Sequence, residues 1–107
     1  ALNVPREAGV SSPSYSLVNL YEGGRIPIAH LDLYRLGHEE ELEALGFRDL
    51  LDGERLVLVE WPGKAGGLED LATLQLQIED HGPSSRQCTF RCQDPELRAS
   101  IQETLAL

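Results

Sequence analysis

Two acidic residues stand where a carboxylate could take part in chemistry. Glu60 ends a hydrophobic run, and Asp32 lies within another one. A hydrophobic strand that ends in an acid is a common way for nucleotide hydrolases to hold Mg²⁺ beside phosphates, although a lone acid at a strand end is more often simply solvated. A carboxylate within an apolar strand is costly to bury unless it meets water, a donor or a metal. Asp32 could therefore position an attacking water, or it could merely pair with Arg35 or accept a hydrogen bond from Tyr34.

A loop rich in hydroxyl groups is the third candidate. Four serines surround one proline within residues 11–16, Ser-Ser-Pro-Ser-Tyr-Ser. Proline fixes one backbone angle, and the hydroxyl groups suit a loop that closes over a phosphate or a metal-bound water. The same composition suits an ordinary turn, which is the commoner case.

Three single residues have both a functional and an ordinary interpretation. His30 shares a strand face with Asp32 and is typical of an ordinary strand histidine. Trp61 is the sole tryptophan, and it could stack against a partner or a pocket or cap the edge of the core. Arg86 could reach an anion, although most arginines in such a hairpin are surface residues.

The elements that position these residues follow from hydrophobic periodicity and turn residues. The pattern predicts strands over 16–22, 26–34, 55–60, 73–80 and 86–92, and helices over 38–45 and from Asp94 onward. The first two strands form a hairpin through Gly23-Gly24. The uninterrupted run Leu56–Val59 predicts a strand that is covered on both faces. Strands mixed with helices predict a layered α/β fold.

The bulk composition is that of one ordinary globular domain. The chain has 107 residues, of which 41% are hydrophobic and 25% charged, and residues 1–12 are expected to form a connector. The formal net charge of −9 is repelled by nucleic-acid phosphates, so direct nucleic-acid binding is not expected. No apolar run approaches the roughly 18 residues of a membrane helix, and no signal peptide is recognisable, so we expect a cytoplasmic protein.

The two cysteines are expected to be buried structural thiols. Cys88 and Cys92 lie on one face of a predicted strand, about 13 Å apart by strand geometry. That separation exceeds the roughly 7 Å limit for a disulfide. Without a paired histidine or cysteine nearby, they do not predict a zinc site either.

Four segments that contain these candidates carry a family resemblance. In order they are Ser12-Pro13-Ser14-Tyr15-Ser16-Leu17-Val18, His30-Leu31-Asp32-Leu33-Tyr34-Arg35-Leu36, Glu41-Leu42-Glu43-x-Leu45-Gly46 and Val59-Glu60-Trp61-Pro62. They resemble the TsaE (YjeE) family pattern of S-P-T-F/Y-T-L-V, H-x-D-L-Y-R-L, E-L-E-x-x-G and E-W-P. Any one block alone would be a weak signal, whereas four in the same order are specific.

The resemblance implies a P-loop ATPase that uses ATP, ADP and Mg²⁺. Such proteins work with TsaD and TsaB in forming threonylcarbamoyladenosine beside the tRNA anticodon, so tRNA contact is expected only through those partners and no membrane is involved. By position, Glu60 matches the Mg²⁺-associated acid and Asp32 matches the catalytic carboxylate. The resemblance places nucleotide contacts on Ser14, Ser16, Trp61 and, by a looser alignment, Arg86. It places residues that face the partner or support the site at His30, Tyr34 and Arg35.

One family feature is missing from the sequence. The family's G-x-x-G-x-G-K-T/S loop lies before the S-P-T block, but these 107 residues contain no such segment and only one lysine, Lys64. We therefore expect an incomplete P-loop NTPase-like layered α/β fold with a mixed sheet, in which the N-terminal phosphate-loop strand and helix are missing. The expected single domain over 1–107 equals the C-terminal two-thirds of a TsaE-like domain. Without the loop's N–H groups and lysine, the chain is expected to hydrolyse ATP negligibly, whether through truncation or natural loss.

Two other interpretations stay open. The chain could be a loop-less protein-binding module that docks to a TsaB- or TsaD-like partner. It could also be an unrelated metal-dependent hydrolase built on Asp32 and Glu60. That enzyme would need a third ligand, and His30, His38 and His81 lack an obvious spacing for one.

Overall fold

The computed structural model describes residues 2–5, 9–13 and 16–106. Their contacts divide the chain into two compact units, Ala1–Gly67 and Leu68–Leu107, and each unit is described by itself. Each unit holds one sheet. The single domain over 1–107 and the connector over 1–12 remain predictions.

A three-stranded mixed sheet forms the centre of the first unit. Its strands are β1 (Val18–Tyr21), β2 (Ile28–Asp32) and β3 (Leu56–Glu60), in the order β1-β2-β3. β1 pairs antiparallel with β2, and β2 pairs parallel with β3. The predicted hairpin and the predicted mixed sheet are therefore confirmed. Parallel neighbours need a crossover connection, and here it contains two short helices.

The crossover consists of α1 (Glu39–Ala44) and α2 (Phe47–Leu50). Three glutamates occupy the first turn of α1, where the positive end of the helix dipole favours anions. Gly46 follows the helix with a φ of 70°, a left-handed conformation that a residue without a side chain adopts at little cost. The amide N–H of Gly46 donates to the carbonyl oxygen of Glu43 at 3.0 Å, so this glycine helps to end the helix.

The core of the first unit collects around β2. Ala29, Leu31 and Leu33 are wholly buried. Further buried apolar residues come from β1, β2, the crossover and the loop after β3: Tyr21, Ile28, Leu36, Leu42, Phe47 and Ala65. The central strand is thus the best-protected element, and it carries Asp32 at its end.

The prediction that the third strand is covered on both faces is wrong for the described residues. Leu58, in the middle of β3, is 45% exposed, and Glu60 is exposed as well. β3 lies at the edge of the described sheet, where β2 is its one hydrogen-bonded neighbour among the described strands. An uninterrupted apolar run shows that both faces of a strand are apolar, but it cannot show what covers them.

The second unit consists of a hairpin and a helix. β4 (Leu74–Asp80) and β5 (Arg86–Cys92) pair antiparallel, and α3 (Pro95–Thr104) follows, as predicted. The side chain of Asp94 accepts hydrogen bonds from the N–H groups of Glu96 and Leu97 at 2.9 and 3.3 Å. Asp94 is therefore the N-cap, and Pro95 begins the helix where its missing N–H group is not needed.

The two cysteines are more exposed to solvent than the sequence predicts. Cys88 is exposed and Cys92 is partly exposed, and both are free thiols. They share a face of the hairpin with Phe90, which is itself 38% exposed. The prediction of buried structural thiols is wrong, because among the described residues this face of the hairpin is only partly covered.

Candidate functional site

The ends of two parallel strands place the two candidate carboxylates side by side. Asp32 is the last residue of β2 and Glu60 the last residue of β3, and the parallel register sets them opposite each other. Because parallel strands end at the same edge of a sheet, both carboxylates emerge at one edge. Asp32 is 5% exposed, whereas Glu60 is about half exposed. The pair thus combines one buried acid with one that solvent reaches.

A serine hydroxyl joins the two acids. Ser12 Oγ lies 2.7 Å from Oδ2 of Asp32 and 2.9 Å from Oε2 of Glu60. A hydroxyl carries one proton, so it can donate fully to one carboxylate at a time. Three oxygens from three separate chain segments therefore meet at one point, and two of them belong to carboxylates, which is a set of donors that suits a hard cation.

Ser12 is a residue that the sequence analysis did not single out. The resemblance placed the nucleotide contacts on Ser14 and Ser16, whereas among the described residues it is the hydroxyl of Ser12 that reaches the acids. Pro13 is buried, which fixes the chain at this position. Because Ser12 precedes proline, its backbone is restricted to extended conformations, but this restriction does not by itself indicate that its hydroxyl reaches the acids.

The remaining oxygens of the two acids are also engaged. Oδ1 of Asp32 accepts the backbone N–H of Tyr34 at 3.1 Å. Nε2 of His30 lies 3.1 Å from Oε2 of Glu60, and this contact is a hydrogen bond when Nε2 carries the proton and Glu60 is ionised. The His30 side chain is 17% exposed. These contacts therefore restrict the side-chain conformations of both carboxylates.

Backbone hydrogen bonds hold the strand ends in this arrangement. The N–H of Asp32 donates to the carbonyl oxygen of Leu17, and the N–H of Leu33 donates to that of Glu60, both at 3.0 Å. Leu17 has a φ of 69°, in the left-handed region that is unfavourable for a residue with a side chain. Such strained residues persist where their surroundings hold them, and they concentrate at functional sites.

An exposed aromatic pair stands next to the carboxylates in the sequence. The rings of Tyr34 and Trp61 lie 5.1 Å apart at an interplanar angle of 52°, and each residue is 58% exposed. Trp61 directly follows Glu60 and has a φ of 59°, which is a second left-handed residue beside the site. Nζ of Lys64 lies 5.8 Å from the centre of the Tyr34 ring. The site therefore has an acidic part and an aromatic part that carries one positive charge.

The structure brings five of the predicted site residues together. They are Asp32, Glu60, His30, Tyr34 and Trp61. Ser16 is exposed, and its hydroxyl donates to the carbonyl oxygen of Val18 at 3.4 Å instead of reaching the acids. Arg35 is exposed in the turn after β2, and Ser14 lies outside the described residues.

Arg86 lies in the second unit, at the start of β5. Its guanidinium group is 3.2 Å from the Asp80 carboxylate and donates to the carbonyl oxygens of Gly82 and Ser85 at 3.1 and 2.8 Å. These contacts close the hairpin turn. A nucleotide contact from Arg86 remains a prediction.

The acidic part fits a magnesium site that the protein completes only in part. Hard carboxylate and hydroxyl oxygens are the donors that Mg²⁺ prefers. Within the described part of the chain, no group of three or more histidine, cysteine, aspartate and glutamate side chains is arranged to hold a metal. Mg²⁺ usually takes one or two carboxylates and completes its six ligands with water and substrate phosphates. Asp32 and Glu60 fit a site in which the protein supplies only these one or two carboxylate ligands.

Comparison with known proteins identifies the family. The profile of "Threonylcarbamoyl adenosine biosynthesis protein TsaE" matches residues 1–88. The chain belongs to the TsaE family. The family match covers both acids, the serine loop and the aromatic pair, so the TsaE resemblance drawn from four motifs is confirmed.

Individual TsaE relatives agree with the family match. The chain is 37% identical to the "tRNA threonylcarbamoyladenosine biosynthesis protein TsaE" of Haemophilus influenzae over 76 residues, which are 71% of this chain and 48% of that protein. It is 33% identical to the protein of the same name from Bacillus subtilis over 81 residues, 76% of this chain and 50% of that protein. The corresponding Rickettsia typhi protein is 36% identical over 86 residues, 80% of this chain and 59% of that protein.

The chain spans about half the length of the Haemophilus influenzae and Bacillus subtilis relatives. No helix among the described residues is both long enough and apolar enough to span a bilayer.

Proposed function

We propose that this chain belongs to a TsaE-type, Mg²⁺-dependent ATPase that acts with TsaD and TsaB in forming threonylcarbamoyladenosine on tRNA. The chain supplies the acidic edge of that enzyme, by which we mean the carboxylates of Asp32 and Glu60 at the ends of β2 and β3. The observation that carries the proposal is the meeting of Asp32 and Glu60 on the hydroxyl of Ser12, at 2.7 and 2.9 Å. Family membership supports the pathway. The cytoplasm, where tRNA is modified, is the proposed place of action.

The two acids take different roles because their surroundings differ. Glu60 is half exposed at the strand end and is the group that would hold Mg²⁺, directly or through water. Asp32 is buried and fixed by the N–H of Tyr34 and the hydroxyl of Ser12, which suits it to orient a water molecule and accept its proton. The metal, when bound, neutralises charge that develops on the phosphates.

The phosphate-binding part is not within these 107 residues. The sequence has no G-x-x-x-x-G-K-[ST] segment, and its one lysine, Lys64, lies in the loop after Trp61. Backbone N–H groups at a helix start and a loop lysine supply most of the electrostatic stabilisation in such enzymes. We therefore propose that the 107-residue chain alone hydrolyses ATP negligibly, and that the acidic edge works together with a phosphate-binding loop in the P-loop NTPase-like arrangement.

One observation favours the second candidate, a protein-binding module for a TsaB- or TsaD-like partner. Tyr34 and Trp61 each leave 58% of their surface exposed, and aromatic side chains are enriched at protein interfaces. In that case the aromatic pair, and not the acidic edge, would carry the function of the chain. Tyr34→Ala would then abolish partner binding, while Glu60→Gln would not affect it.

Calorimetry on two proteins tests the proposal. The first is the 107-residue chain, and the second is the product of the upstream reading frame if that frame encodes a phosphate-binding loop. We expect MgADP and MgATP to bind and ATP to be hydrolysed only by the second protein. Glu60→Gln or Asp32→Asn should lower that hydrolysis about 100-fold or more. Tight MgATP binding by the 107-residue chain would refute the account of the missing loop, and unchanged hydrolysis in both variants would refute the roles of the acids.

A further inference from the structure

We infer that Glu39 is a positioning residue that fixes the loop carrying Trp61 beside the carboxylate pair. The inference rests on the function proposed above, since that function gives the loop its purpose. The decisive contact links the first residue of α1 to the end of the loop 61–66. Oε1 of Glu39 accepts the backbone N–H of Gly66 at 2.8 Å, across 27 residues of sequence.

The position of Gly66 is built for this contact. A side chain at Gly66 would place its Cβ 3.1 Å from the same Glu39 oxygen, closer than most real Cβ contacts, so the carboxylate would have to move by a few tenths of an ångström. The absence of a side chain thus lets the backbone approach the carboxylate closely. A hydrogen bond to an ionised carboxylate is stronger than one between neutral groups, so a single contact can hold an exposed loop.

The rest of the loop transmits the restraint to Trp61. The N–H of Lys64 donates to the carbonyl oxygen of Trp61 at 3.2 Å, and the N–H of Ala65 donates to that of Pro62 at 3.1 Å. Ala65 is buried, so the loop is anchored on the core directly before Gly66. Because Ala65 is buried and Gly66 is hydrogen-bonded to Glu39, the backbone of Trp61 at the start of this short turn has little conformational freedom.

Trp61 needs such a restraint because its backbone is in the left-handed region, with φ 59° and ψ 50°. A residue with a side chain leaves this region unless its surroundings hold it there. The conformation of Trp61 sets the direction in which the chain leaves Glu60, and it places the Trp61 ring against Tyr34. Loss of the hydrogen bond between Glu39 and Gly66 should therefore increase the mobility of Trp61 and of the adjacent Glu60 carboxylate.

The first turn of α1 offers a matched control. Glu39, Glu40 and Glu41 have the same charge and the same place near the helix dipole. Glu41 caps its own helix by accepting the N–H of His38 at 3.1 Å. Glu40 is exposed and makes no such contact with the described residues. A change specific to Glu39 and absent from Glu40 therefore reports the loop contact and not the charge of the helix.

The test compares Glu39→Ala, Glu39→Gln and Glu40→Ala with the wild-type chain by ¹H–¹⁵N NMR. We expect Glu39→Ala to speed exchange of the Gly66 amide about five-fold or more and to shift the indole N–H of Trp61, the only tryptophan. Glu39→Gln should restore both signals, because its amide oxygen can still accept from Gly66. Glu40→Ala should leave both unchanged. An unchanged Gly66 amide in Glu39→Ala, a changed Gly66 with an unchanged Trp61, or equal effects in Glu40→Ala would each overturn the inference.

A titration with Mn²⁺ separates this inference from the proposed function. We expect Glu39→Ala to weaken Mn²⁺ binding a few-fold and Glu39→Gln to recover it. If the wild-type chain without nucleotide does not bind Mn²⁺ at Asp32 and Glu60, the Gly66 and Trp61 signals alone decide the role of Glu39. The proposed function is decided separately, by hydrolysis in the Glu60→Gln and Asp32→Asn variants of the protein that contains a phosphate-binding loop. If wild-type binding is seen and Glu39→Ala leaves both the NMR signals and the affinity unchanged, the positioning role alone is refuted.

Discussion

Asp32 and Glu60 end neighbouring parallel strands at the same register position, and one serine hydroxyl touches both carboxylates. Two ionised carboxylates at this separation repel each other, and folded proteins usually keep like charges apart. A single shared proton can satisfy only one of the two contacts at a time. The fold therefore brings two carboxylates and a hydroxyl together where two parallel strands end, an arrangement of oxygen donors that suits a cation.

Neutralising the exposed acid should stabilise the fold and weaken metal binding. Glu60→Gln removes the repulsion between the two carboxylates, and we expect the free energy of unfolding to rise by about 0.5–1 kcal/mol, a small gain because solvent screens the half-exposed Glu60. Mn²⁺ affinity should fall about ten-fold or more. Urea unfolding and electron paramagnetic resonance measure the two effects on the same samples. Glu40→Gln, on an exposed helix turn, is the control and should change neither.

Loss of stability in Glu60→Gln would contradict this account, because it would mean that the contacts made by the Glu60 carboxylate outweigh its repulsion from Asp32. Loss of stability together with unchanged Mn²⁺ affinity would identify Glu60 as a structural residue.

Ser12→Ala should destabilise the first unit. The change removes the hydroxyl that donates to Oδ2 of Asp32 at 2.7 Å, and Asp32 is only 5% exposed. We expect a loss of about 1 kcal/mol, or roughly 4–8 °C in Tm, measured by thermal unfolding. Ser16→Ala is the matched control, because the hydroxyl of Ser16 makes only one long contact, at 3.4 Å to a carbonyl oxygen. Equal stability of the two variants would show that the Ser12 hydroxyl contributes nothing to holding Asp32.

The order of the elements and the two acids were predictable because both depend on local sequence. Alternation and glycine-rich turns define β1 and β2, and the acid at the end of each parallel strand is visible as a break in an apolar run. The glycine after α1 and the Asp94 cap also follow from residue type. Local preferences agree with the final structure at these positions, which is the usual condition for a successful prediction.

The failures concern contacts that join distant segments. Nothing in the local sequence indicates that the hydroxyl of Ser12 meets both acids, because the contact depends on how the loop before β1 crosses the strand ends. The exposure of Leu58 and of the two cysteines depends equally on which elements lie nearby, and an apolar residue type does not reveal its neighbours. The hydrogen bond between Glu39 and Gly66 spans 27 residues and leaves no periodic signal.

The turn before β3 should respond to acid through Asp52. The N–H of Glu54 donates to the Asp52 carboxylate, and Arg55 pairs with it at 3.1 Å. These contacts, the first being the larger cause, lower the pKa of Asp52 below its ordinary value of 3.8. Because the folded pKa is lowered, the stabilisation is present above the unfolded pKa of about 3.8 and is lost as the pH falls through the lower folded value.

The carboxyl-carbon NMR titration of Asp52 measures this effect directly. We expect a midpoint below 3.8 in the wild-type chain. Arg55→Gln should raise the midpoint only in part, because the hydrogen bond from Glu54 remains. A wild-type midpoint at or above the ordinary value would show that this turn does not stabilise the ionised form in solution.

The contact between Tyr34 and Trp61 should contribute a measurable but small coupling energy. Their rings lie 5.1 Å apart at 52°, within the range of favourable tilted pairs, but both residues are 58% exposed. A double-mutant cycle with Tyr34→Ala, Trp61→Ala and the double variant should give about 0.5 kcal/mol, the low end of the range for aromatic pairs. Urea unfolding of the four proteins supplies the cycle, and Tyr21→Ala with Trp61→Ala forms a control cycle expected to be additive. If the Tyr34–Trp61 cycle is additive as well, the left-handed backbone of Trp61 must be held by the loop contacts alone, and Glu39→Ala should then have a larger effect on Trp61 than Tyr34→Ala.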